Sequence, residues 1–95
     1  IQKNVSFEML SSGKQTGNKI LRKRRALILD IMNQKKGKLL TYEKINEYLQ
    51  KNSSNISAED FKQDIIKLQN LGLMIENISD SVVLKENINL NILFI

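Results

Sequence analysis

Residues 57 to 91 constrain the fold more than any other part of the chain. From Ser57 the sequence places Phe61, Ile65 and Leu68 at spacings of four and three, with Leu71 on the flank. That is the apolar stripe of an amphipathic helix. Ser57 is a natural N-cap, and Asp60 three residues on completes a capping-box-like pair. Gly72 then stops the helix, and Leu73-Met-Ile75 begins an extended stretch. Asn77 to Ser81 can turn, and Ser81-Val-Val-Leu84 returns. A helix that ends on glycine and feeds straight into a hairpin leaves few folds open.

Two further helices precede this unit. Leu21, Leu27, Ile28, Ile31 and Met32 share one face of a helix over residues 18–35, closed by Lys35, Lys36 and Gly37. Arg24 and Arg25 fall toward that stripe. Either the core contact begins near Ala26, or their alkyl stems cover apolar surface while the guanidinium groups reach water. Leu39-Leu40 reads as a short strand. Thr41 caps a second helix from Tyr42 to about Gln50, whose inner face carries Tyr42, Ile45, Tyr48 and Leu49. Residues 1–17 hold no sustained period. They read as an arm or linker, with Val5-Ser-Phe7-Glu-Met9 able to form a short strand that pairs elsewhere. Residues 18–95 form the domain. Ile88-Asn-Leu-Asn-Ile92 alternates strictly and continues into Leu93-Phe-Ile95, either as a third strand or as a segment docked on the body.

The chain of 95 residues is long enough for one domain. With no cysteine and no histidine, it lacks the usual zinc ligands, thiol nucleophiles and imidazole bases, so no metal, cofactor or catalytic residue is expected. The pairs Glu59/Asp60 and Glu43/Glu47 sit at a helix start or one turn apart, where carboxylates cap and solvate. Gly13 and Gly17 are not followed by the Gly-Lys-Ser/Thr of a phosphate loop. No apolar run approaches the roughly 18 residues of a membrane span. A soluble protein of the cytoplasm or nucleus is expected. The first residue is Ile, which fits a piece of a longer chain.

Charge is unevenly spread. Residues 1–38 hold ten Lys/Arg against Glu8 and Asp30, whereas residues 39–95 hold five Lys against eight acids. A basic end on a slightly acidic body fits a polyanion partner, or a solvated tail in a lysine-rich protein.

The stripe Phe61, Ile65, Leu68, then Gly72 and Leu73-Met-Ile75, resembles the winged-helix superfamily over roughly residues 20–92. The fold implied is α+β: a three-helix bundle, containing a helix-turn-helix, with a small antiparallel hairpin. Leu71-Gly-Leu73, the hairpin and Ile88-Asn-Leu-Asn-Ile92 look like the C-terminal winged helices of replication-initiator ATPases and the recognition modules of some restriction endonucleases. Ile28-Leu-Asp-Ile31-Met32, followed by Lys35-Lys36 and Leu39, is similar to the terminal winged helix of cullin ubiquitin-ligase scaffolds. There, the position after the methionine carries the lysine that accepts a ubiquitin-like modifier. Here it is Asn33, with Lys35, Lys36 and Lys38 nearby, and the short Tyr-rich ending of cullins is missing.

On the DNA-binding reading, the third helix enters the major groove of a duplex. Its outer face carries Lys62, Gln63, Lys67 and Asn70. Lys19, Arg22, Lys23, Arg24 and Arg25 would hold phosphates. Glu59, Asp60 and Asp64 weigh against this by leaving the helix slightly acidic, and the wing holds Glu76 and Asp80. On the alternative reading the same fold docks another protein, through the third helix or the apolar 88–95 segment. The aromatic residues are too few and too clearly core-directed for a single-strand stacking platform. The Arg22–Arg25 run also fits a nuclear-import signal, but lacks the apolar anchors of a membrane patch.

Overall fold

A computed structural model describes residues 3–10 and 19–91. The elements run β1 (Lys3–Ser6), a 3-10 turn (Phe7–Leu10), α1 (Lys19–Gln34), β2 (Leu40–Thr41), α2 (Tyr42–Lys51), α3 (Ala58–Asn70), β3 (Ile75–Ile78), β4 (Ser81–Leu84) and β5 (Ile88–Asn91). The three helices and the antiparallel sheet β2-β4-β3 make a winged helix, as the sequence predicts.

α1 is the axis of the core. Ala26, Leu27, Ile28, Leu29, Ile31 and Met32 are all buried. This is more than one stripe, because α2, the N-terminal 3-10 turn and strands β4 and β5 pack around the helix. Gly37 ends the turn after α1 at φ +84 and donates its N–H to the Leu84 carbonyl at 3.0 Å, tying the helix stop to the wing. α2 starts on Thr41, whose hydroxyl accepts from the Lys44 amide at 3.2 Å. α3 starts on Ser57, whose hydroxyl accepts from the Asp60 amide at 3.1 Å. Each cap satisfies one amide that the helix leaves unpaired. Phe61, Ile65 and Leu68 are buried together, as their spacing requires.

The turn between α2 and α3 is pinned by side chains. Asn46 accepts from the Ile56 amide at 3.1 Å, and the Tyr42 hydroxyl donates to the Ile56 carbonyl at 2.6 Å. The Tyr42 ring meets Phe61 at 5.6 Å between centroids, tilted by 55°. The wing is a tight hairpin in register Ile75↔Leu84 to Ile78↔Ser81, turned through Ser79 at φ 57 and Asp80. Leu40↔Val82 adds the short β2 to its other edge.

The N-terminal segment carries a short strand that pairs elsewhere in the chain, where the alternation around Val5 allows one. β1 pairs with β5 in parallel, Lys3↔Ile88 to Ser6↔Asn91. Val5 and Leu10 are fully buried. Two apolar side chains sealed in the core give this segment a reason to stay packed, each contributing about 1.5–3 kcal/mol of burial. The short alternation at Val5 therefore marks a strand, and its partner is the segment after the wing. It follows that Ile88–Asn91 is not a third strand of the hairpin sheet; it forms a separate two-stranded sheet beside α1. Residues 11–17 of the expected arm, and 92–95 of the apolar tail, lie outside the described residues.

Candidate nucleic-acid interface

The outer face of α3 is set by the stripe that faces inward. Lys62, Gln63 and Asn70 are exposed and Lys67 is half-buried. The structure thus presents all four expected α3 residues on the outer side of the helix. Glu59, Asp60 and Ile66 share the exposed surface.

The phosphate set divides. Lys19 and Lys23 are exposed. Arg22 is half-buried: its guanidinium carbon lies 4.9 Å from the centre of the Phe7 ring, and its Nε is buried with no acceptor among the described residues. Arg24 and Arg25, in contrast, turn into the protein. Arg24 donates from Nε and Nη2 to the two carboxylate oxygens of Asp64, at 2.7 and 2.8 Å. Arg25 donates from Nε to the same carboxylate at 3.0 Å and from Nη1 to the Leu10 carbonyl at 2.9 Å. The Asp64 side chain is 1% exposed and that of Arg25 7%. Arg25 is therefore not placed to hold a phosphate, and Arg24 has its donors largely committed. A buried carboxylate must be paired, and a planar guanidinium pairs with it in bidentate fashion. The hydrogen bond to Asp64 raises the Arg24 pKa further above its normal value.

The same arrangement corrects the charge count of α3. By sequence alone Asp64 adds to the acids that weigh against DNA. Its charge is internal and matched by two arginines, so Glu59 and Asp60 are the acids α3 exposes, against Lys62 and Lys67. Asp60 lies 4.0 Å from Arg24 Nη1.

Two groups near these residues escaped the sequence reading. Phe7 supplies the ring under Arg22. Lys51, at the end of α2, lines a hollow of about 710 Å³ together with Lys19, Arg22 and Lys23. Tyr48 borders this hollow, its hydroxyl hydrogen-bonded to Asp30. No cluster of potential metal ligands occurs among the described residues. Among them, too, no helix is long and apolar enough to cross a membrane.

Comparisons with known proteins agree with this architecture. A family model described as "FokI, D3 domain" matches residues 12–80. Among solved structures, the chain is similar to restriction endonuclease FokI, with a TM-score of 0.83 and 33% identity over 94% of this chain and 16% of that one. It is likewise similar to restriction endonuclease FokI bound to DNA, with a TM-score of 0.82 and 34% identity over 94% of this chain and 15% of that one. The chain thus spans about one sixth of the length of those relatives. No curated protein matches it. Of the three winged-helix resemblances in the sequence, the restriction-type module is the one these matches bear out. With a family model over most of its length and one-third identity across nearly all of it, the chain belongs to the FokI D3 domain family.

Proposed function

We propose that this chain is a non-catalytic winged-helix module of a larger restriction-type protein and that it lies on duplex DNA. The observation that carries this reading is the likeness, at 34% identity over 94% of the chain, to a FokI structure bound to DNA. In this reading Lys62, Gln63, Lys67 and Asn70 face the groove, and Lys19, Arg22 and Lys23 meet the backbone. Their exposure or half-exposure supports it. The cleavage chemistry belongs to another part of the full-length protein: here the buried carboxylate, Asp64, is committed to two arginines, and no group of potential metal ligands lies together among the described residues. The setting is intracellular, where duplex DNA is found. The folding unit takes in residues 3–10 together with the domain that follows.

The test is retention of a random-sequence duplex library by the intact chain. Steeply salt-dependent retention is expected, since each phosphate contact releases counterions. No retention at low salt sinks the reading.

A second reading, docking to another part of the same larger protein, is favoured by one observation. Ile66 of α3, Met74 just before β3 and Ile78 of β3 are 48%, 58% and 48% exposed. Large exposed apolar side chains that form one patch mark a protein contact. Met74→Asp would then weaken association with the remainder of the protein while leaving duplex retention unchanged.

A further inference from the structure

Lys3, at the start of β1, holds the base of the wing from both sides. Its amide donates to the Asn87 carbonyl at 3.1 Å, on the segment that leaves the wing. Its ammonium donates to the Gly72 carbonyl at 2.5 Å, on the segment that enters it. One lysine thus staples together the two ends of the β3–β4 hairpin. Gly72 meets it at φ +92, and a Cβ there would come within 3.2 Å of the ammonium. Glu86 closes the same base from within, its Oε2 accepting from the Met74 amide at 2.8 Å.

The other end of the same segment reaches the middle of α3. The Leu10 carbonyl accepts from Arg25 Nη1 at 2.9 Å, and Arg25 Nε donates to Asp64 at 3.0 Å. Residues 3–10 therefore meet α3 directly just past its last turn and, through Arg25, at its centre. Two ties so spaced fix the tilt of a helix as well as its place. Between them β1 lies on β5, with Asn89 Nδ2 donating to Asn4 Oδ1 at 3.2 Å. β5 in turn is held to α1, where Asn33 Nδ2 donates to the Ile88 carbonyl at 3.2 Å.

The segment is held by less than the core beneath it. β1 and β5 form a sheet of two strands, and so small a sheet, with parallel pairing, is marginal by itself. Val5 and Leu10 are its fully buried anchors, while Lys3, Asn4, Glu8 and Met9 face solvent. α1, in contrast, buries every side chain from Ala26 to Leu29, and Ile31 and Met32 beyond them. Units with few buried apolar contacts open at lower cost than the core they lie on. Lifting residues 3–10 takes the staple from Gly72 and Asn87 and the Leu10 carbonyl from Arg25, and leaves the packing of α2 on α1 in place.

We propose that residues 3–10 are a releasable strap. Seated on β5, the strap fixes the angle of α3 and the wing against α1 and α2; lifted, it frees α3 and the wing while α1 and α2 stay folded. What moves with the strap is the outer face of α3 together with the exposed Met74 and Ile78. A pull on the N-terminal side of the domain therefore changes that surface from a distance, by shifting the balance between two arrangements. The strap sets how the surface is presented, whatever lies on it, and so stands apart from both readings above.

The test is residue-resolved amide hydrogen exchange of the intact chain, with no DNA or partner present, in the parent, Lys3→Met and Lys3→Arg. Lys3 is exposed, so both variants are expected to fold. The Val5 amide reports the strap. The Lys85 amide, which donates to the Met74 carbonyl at 2.8 Å, reports the base of the wing. Leu68 reports the end of α3, since a helix this short holds its amides weakly once undocked. Leu29, fully buried in α1, reports the core. In the parent the first three should share one protection factor, about a hundredfold below that of Leu29. Lys3→Met keeps the stem and loses the ammonium, and should hasten the three together by about fivefold. Lys3→Arg should restore the parent rates. Equal protection at all four amides would show that the strap opens only with the whole fold. Fast exchange at Val5, with Lys85 and Leu68 protected like Leu29, would show that the strap frays without freeing the wing or α3. Unchanged rates at Lys85 and Leu68 in Lys3→Met would remove the staple from the device. Each of these three outcomes overturns the proposal and leaves the question of duplex binding where it stands.

Discussion

Arg24 of α1 holds Asp64 of α3 through two hydrogen bonds of 2.7 and 2.8 Å, and Arg25 closes on the same carboxylate from the next position along α1. These contacts lock the basic helix to the proposed recognition helix. They span about 40 residues of sequence, so they form only when the bundle is assembled.

The first prediction concerns that lock. Asp64→Ala leaves two arginines without their carboxylate, one of them buried, and should destabilise the fold by about 3–5 kcal/mol. Asp64→Asn keeps the shape and some hydrogen bonding and should cost less. Urea unfolding monitored by circular dichroism measures both. A loss under about 1 kcal/mol for Asp64→Ala would mean that the triad contributes little to stability.

The helices and the wing were legible because they follow from local rules. Ser57, Gly72 and the spacing of Phe61, Ile65 and Leu68 each act within a few residues, and the structure obeys them. The triad was legible in part. Asp64 sits between Phe61 and Ile65 on the stripe facing the core, while Arg24 and Arg25 fall toward the stripe of α1. An acid on one inner face and bases on another are the signal of a buried pair. Each helix taken by itself leaves the two guanidinium groups free to reach water from that stripe and Asp64 among the acids of α3; only packing of α1 on α3 pairs them. What local rules do not reach is the pairing of β1 with β5. Lys3 and Ile88 meet across nearly the whole chain, and four residues of weak alternation do not name a partner. Lys51 escaped for a related reason: it joins Lys19, Arg22 and Lys23 only after α2 has packed on α1.

A second prediction tests the N-terminal segment. Leu10 is fully buried, whereas Met9 beside it is 39% exposed. Leu10→Ala should cost about 2–5 kcal/mol through lost burial and the cavity left behind. Met9→Ala should stay within about 0.5 kcal/mol, as surface changes generally do. Equal stabilities for the two variants would show that the segment does not share the core in solution.

A third prediction concerns pH. Burial, and then the hydrogen bond to Asp30, raise the Tyr48 phenol above its ordinary value of 10.0. The folded state therefore keeps this proton more firmly than the unfolded chain does. The resulting stabilisation is complete below about pH 10 and is lost as pH rises through the folded value. Tyr48→Phe removes the titration. It should be less stable than the parent by about 1 kcal/mol at neutral pH, from the lost hydrogen bond. The gap should hold up to about pH 9 and narrow above pH 10. Parallel unfolding curves over that range measure it. A gap that widens with alkalinity contradicts the direction of the shift.

The last prediction separates the two kinds of contact expected of α3. Gln63 and Asn70 carry amides that match the donor and acceptor edge of adenine, whereas Lys62 and Lys67 supply charge. Their exposure or half-exposure leaves them available for such contacts. Selection from randomised duplexes should give Gln63→Ala and Asn70→Ala an altered base preference at one position each, since a good bidentate pair discriminates by about 1–3 kcal/mol. Lys62→Ala should weaken all sequences alike and leave the preferred sequence unchanged, as loss of a phosphate contact does. Lys67→Ala should do the same if Lys67 meets a phosphate; a lost preference for guanine would instead place it on a base edge. Identical preferences for the parent chain, Gln63→Ala and Asn70→Ala would mean that α3 does not read bases. The module would then meet DNA through its backbone contacts alone, and the salt slope would carry all of its binding.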